Sequence, residues 1–104
     1  MLVWISWSVD PIGSAGATAP NVKEAARLLQ GSITRMRRAF DSDTAYGELQ
    51  DRARIMQARM LDEGRTAVLR GEQWSATVGS IRVLLIPRGD HVRVPLRREP
   101  NGAA

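Results

Sequence analysis

Residues 22–60 read VKEAARLLQGSITRMRRAFDSDTAYGELQDRARIMQARM, and this stretch decides the fold. Val22, Ala26, Leu29, Ile33, Met36 and Phe40 recur at steps of four and three, and so do Tyr46, Leu49, Ala53, Met56 and Met60. On an α-helix that spacing keeps each set on one narrow seam. Between the two sets, Asp41-Ser42-Asp43-Thr44 supplies turn and capping side chains. So short a connection sends the second helix back antiparallel to the first, which predicts a helical hairpin. Asn21, followed three residues later by Glu24, has the pattern of a capping box and starts the first helix at 21 or 22. That helix is expected to run to about Phe40, and the second from 44 to 70 with Gly71 as its C-cap.

The flanks have a different period. Leu2 to Val9 is rich in Val, Ile and Trp and is stopped by Asp10-Pro11, which predicts a mostly buried β-strand. Gly13 to Pro20 is small and flexible in composition and reads as a linker. After Gly71, Trp74–Val78 suggests a short strand and Ile81–Ile86 a firmer one, with Ile81, Val83 and Leu85 on one face. Pro87-Arg88-Gly89-Asp90 has turn chemistry, and Val92, Val94 and Leu96 alternate beyond it, so a β-hairpin is expected over 81–96. The fold class is therefore α+β in the order β-α-α-β-β, one domain over 1–96 with a flexible basic tail over 97–104.

With 104 residues, 43% of them hydrophobic, and only five aromatics, the chain has the makings of a thin aliphatic core. A thin core favours association, and the hairpin seams provide a surface for it: Leu29, Ile33, Met36, Leu49, Met56 and Met60 are the expected interface, with a homo-oligomer as the expected assembly. No cysteine is present and His91 is the single histidine, which excludes disulfides, thiolate sites and His-pair metal motifs. Neither cofactor nor metal is expected. The opening MLVWISWSV faintly resembles a signal peptide but lacks a basic n-region, and no apolar run reaches the length of a membrane span, so a cytoplasmic protein without a membrane partner is expected.

The net charge of +4 is almost wholly arginine, since Lys23 is the only lysine among fifteen basic residues. Arg27, Arg35 and Arg38 fall on the side of the first helix opposite its seam and form a basic stripe. Together with Arg82, Arg93 and Trp74 they are the candidate binding residues, for nucleic acid or for an acidic protein. The plainer readings are a solvated helix face and the codon usage of a GC-rich genome. Gly13-x-x-Gly16 ahead of a helix invites comparison with a phosphate cradle, but no Gly-Lys-Ser/Thr follows and a third fingerprint glycine is missing. His91 beside Asp90 has no convincing partner for acid–base work. No catalytic residue is assigned.

The order β-α-α-β-β with a basic C-terminal hairpin is similar in layout to the small ribosome-associated toxin nucleases of the RelE and ParE kind. The resemblance covers element order and matches no motif residue by residue. It implies an RNA-binding role in which Arg82, His91, Arg93 and Arg97 hold phosphate and stabilise developing charge. Against that alternative, the absence of a reactive constellation favours a non-enzymatic interaction or assembly module, of bacterial or phage character, that acts through the helical hairpin.

Overall fold

The computed structural model describes residues 2–88. The chain runs β1 (Leu2–Val9), β2 (Gly13–Ala19), α1 (Val22–Arg35), a 3-10 turn (Met36–Ala39), α2 (Asp43–Arg59), a π turn (Met60–Gly64), α3 (Arg65–Leu69), β3 (Trp74–Val78) and β4 (Ile81–Arg88). The four strands form one antiparallel sheet in the order β2-β1-β4-β3. The helical layer covers one face of it.

The expected α+β class and element order are present, with the first strand joined to the C-terminal strands through β1–β4 pairing. One element was not anticipated: Gly13–Ala19 is a strand, not a linker, and it pairs with β1 along its whole length from Val3–Ala19 to Val9–Gly13. Its residues have little strand preference of their own. They adopt it because β1, anchored in the core, offers a ladder of backbone partners, and because a tight Asp10-Pro11-Ile12 turn, closed by the Ile12 N–H to the Val9 carbonyl at 2.7 Å, brings the chain straight back.

The helical hairpin forms as the seam predicts. Asn21 caps α1 by accepting from the Glu24 N–H at 2.9 Å, and Ser42 caps α2 by accepting from the Ala45 N–H at 3.1 Å. The first helix ends sooner than expected: it tightens to 3-10 geometry at Met36 and Phe40 is already extended. The second helical path holds its direction to Leu69 but widens into the π turn at Met60–Gly64. Gly71 then ends it in the left-handed conformation, with φ 77°.

The seam meets the molecule's own sheet. Leu29, Ile33, Leu49, Met56 and Met60 share a core with Val3, Ile5, Val9, Ile81 and Leu85, and Met36 packs at its margin. The expectation of an intermolecular interface is thereby corrected for five of the six, which are 0–5% exposed within a single chain, while Met36 is half-buried. A sheet with one strongly apolar face must cover it, and the hairpin is the cover that the chain itself carries.

At the C-terminal end the hairpin is β3–β4, turning at Gly79-Ser80 with Gly79 at φ 59°. Pro87, expected in a turn, continues β4 opposite Val3. Proline is tolerated there because β3 reaches only as far as Leu85, so β4 has β1 alone as a strand neighbour at that level. The expected strand over 92–96, the tail over 97–104, and His91, Arg93 and Arg97 lie outside the described residues.

Candidate functional site

Alternation along β1 and β4 divides the sheet into two faces. Val3, Ile5, Trp7 and Val9 are buried under the helices, and Trp7 fixes the layers by donating its indole N–H to Ser32 Oγ at 2.9 Å. Leu2, Trp4, Ser6 and Ser8 point the other way, as do Arg82, Leu84, Ile86 and Arg88 on β4. Nothing in the described residues covers this second face.

Register decides what the open face presents. Trp4 lies between Ile86 and Thr18, Ser6 between Leu84 and Gly16, and Ser8 between Arg82 and Ser14, while Ser75 and Thr77 of β3 sit opposite Leu84 and Arg82. One end is thus apolar, built from Leu2, Trp4, Leu84 and Ile86, and the other end carries hydroxyls. Arg88, opposite Leu2, and Arg82, opposite Ser8, bracket it with positive charge. None of the residues on this face is a carboxylate.

Trp4 owes its position to a glycine. Its indole leans across the neighbouring strand, so that a Cβ on Gly16 would lie 2.5 Å from Cζ2 and 3.0 Å from Cη2. The ring fills the place that a side chain on the edge strand would take.

The candidate binding residues do not converge. Arg27, Arg35 and Arg38 are exposed on the helical layer, whereas Arg82 is exposed on the opposite side of the molecule. Arg27 pairs with Glu24 at 3.0 Å, and elsewhere in the helical layer Arg37 pairs with Asp43, Arg54 with Asp51 and Arg59 with Glu63. Much of the helical arginine is thus neutralised locally. Trp74 is half-buried against the core, with the Arg59 guanidinium 6.0 Å from its ring centroid and its indole N–H donated to Glu63 Oε1 at 3.3 Å. It clamps β3 to the π turn and is not an exposed reading surface. The hydrogen bond from Arg59 lowers the Glu63 carboxyl below its ordinary value; slight desolvation opposes this, while the Trp74 N–H and the Arg59 charge reinforce it.

Sequence reasoning missed Trp4, Leu84, Ile86 and Arg88. The signal for Trp4 was its parity: Trp4 and Trp7 are three residues apart, so in a strand they must face opposite ways. Among the described residues no cluster of three or more His, Cys, Asp or Glu could hold a metal, and no helix is long and apolar enough to cross a membrane. No protein-family model, curated protein or solved structure matches the chain, so the site is read from its own residues.

Proposed function

We propose that the protein is a non-enzymatic interaction module that docks another protein on the open face of its sheet. The observation that carries this reading is the combination, on one face that no described residue covers, of an apolar end formed by Leu2, Trp4, Leu84 and Ile86, Arg88 and Arg82 at the two ends of the face, and no carboxylate among its described residues. The complementary surface has an apolar patch at one end and a carboxylate toward each limit. Burial of the apolar patch drives association, and the flanking charges set orientation and rate. The helical hairpin serves this function as the scaffold that buries the other face of the sheet.

Aliphatic side chains outnumber aromatic ones on the face, and the one indole already lies over Gly16. A surface that reads single-stranded nucleic acid stacks successive bases on several rings. This favours a protein partner over RNA. The test places a photo-cross-linking amino acid at Ser6, in the middle of the face, in producing cells. One protease-sensitive, nuclease-resistant adduct of defined mass is expected, lost on Ile86→Asp. A nuclease-sensitive adduct, or salt-dependent RNA binding abolished by Trp4→Ala, would replace this reading with the nucleic-acid one, and no adduct would overturn both.

A further inference from the structure

We infer that the chain forms a twofold dimer in which β2 pairs antiparallel with β2 of a second copy, joining two four-stranded sheets into one of eight. This interface runs along the β2 edge and does not depend on what the open face binds.

The first observation is the edge itself. Among the described residues β2 is bonded to β1 alone; it spans seven residues and carries no charge, proline or large side chain. Proteins ordinarily blunt a free edge with such residues, because its unpaired N–H and C=O groups recruit another strand. In an antiparallel pair related by a twofold axis, one residue must face its own copy, since outward-pointing groups alternate along each strand. Gly16 is the central residue of β2. Centring there places Ser14 opposite Thr18, Ala15 opposite Ala17 and Gly13 opposite Ala19, a register with no steric or electrostatic conflict. The Trp4 ring of each copy already rests over Gly16, so the two indoles would flank the axis on the open face.

The second observation is independent and lies in the helical layer. Gln30 of α1 faces α2, accepting from the Gln57 amide at 2.6 Å. At 100° per residue, Leu28 stands about 160° round the helix from Gln30, on the flank turned away from α2, which is the β2 side. Leu28 is 38% exposed there. Three strand residues back from Ala19 and six helix residues on from Val22 both cover about 10 Å, so Leu28 stands level with Gly16. The same axis therefore brings Leu28 against its copy.

Spacing also agrees. α1 packs on β1 and β2 alike, which puts it about one strand spacing from the axis and sets the two α1 helices about 10 Å apart, at the upper end of the helix packing range. Backbone pairing and an apolar contact thus converge on one symmetry operation.

The experiment is sedimentation equilibrium of the full chain. A dimer of twice the 11.5 kDa chain mass is expected. S14K/T18K, at two exposed positions, sets like charges opposite each other twice and is expected to raise the dissociation constant about tenfold or more. Mixing it with S14E/T18E restores a heterodimer. Leu28→Asp weakens the dimer without touching the sheet, and circular dichroism confirms that each variant is folded. A monomer at concentrations up to about 100 µM, or a dimer indifferent to S14K/T18K and Leu28→Asp, overturns the inference.

Discussion

The same substitution at two glycines of one helical path has opposite expected outcomes. Gly47 lies in α2 with nothing within 4 Å of the position a Cβ would take. Gly47→Ala adds helix propensity and no collision, so it should stabilise the protein by about 0.5–1 kcal/mol. Gly64 closes the π turn, and a Cβ there would stand 3.1 Å from Leu85 Cδ1 and 3.1 and 3.2 Å from Trp74 Cε3 and Cδ2. Those separations are several tenths of an ångström inside the carbon–carbon optimum. Leu85 is fully buried and has nowhere to go, so the strain falls on the ring of Trp74 and on its bond to Glu63. Overpacking of this kind costs about 1–3 kcal/mol, which cancels or exceeds the propensity gain. Gly64→Ala should therefore unfold about 1–3 kcal/mol earlier than Gly47→Ala, a gap of at least ~4 °C in midpoint for a domain of this size. Urea and thermal unfolding followed by far-ultraviolet circular dichroism measure both without relying on Trp74. Equal stabilisation by the two substitutions would show that Trp74 and Leu85 do not close on the π turn, and the reasoning would fail.

Met56 and Ile55 are sequence neighbours about 100° apart around α2, the first fully buried and the second 51% exposed. Met56→Ala is expected to cost about 2–5 kcal/mol and Ile55→Ala a small fraction of that, in parallel urea melts; similar losses would mean that the seam does not face the sheet. The Glu63 carboxyl, lowered mainly by its bond from Arg59, stabilises the fold above the ordinary carboxylate value, and the contribution disappears as pH falls through the lowered value. Melting Glu63→Gln beside the parent chain across that range should show a gap at neutral pH that closes on acidification.

What could be read in the sequence is what local periodicity carries. Six apolar residues at steps of four and three must share a helix side wherever the helix packs, so Val22 through Phe40 was legible as an element. What the seam would pack against was not, because the same stripe suits a partner chain and the molecule's own sheet equally well. β2 was illegible for a different reason: GSAGATA contains one β-branched residue, and its conformation is imposed by β1 and completed by the Trp4 ring over Gly16. Pro87 misled because proline is a turn residue by propensity, and only the length of β3 decides that β4 can accommodate it. The open face inherits both difficulties. Its composition depends on which residues of β1, β2 and β4 are brought side by side, and half of that register comes from a strand with almost no signal.

Tyr46 gives the hairpin a property that neither helix has alone. Its ring lies beside Phe40 and beneath the Arg37 guanidinium, and its hydroxyl donates to the Ile33 carbonyl at 3.2 Å and approaches that of Thr34 at 3.4 Å, where α1 gives way to the 3-10 turn. Helix ends normally fray one turn at a time. Here the last turn of α1 is latched from the first turn of α2, so its amides open only when the second helix lets go. Hydrogen exchange should accordingly slow at this junction and follow α2, making the corner between the helices one of the late places to come apart.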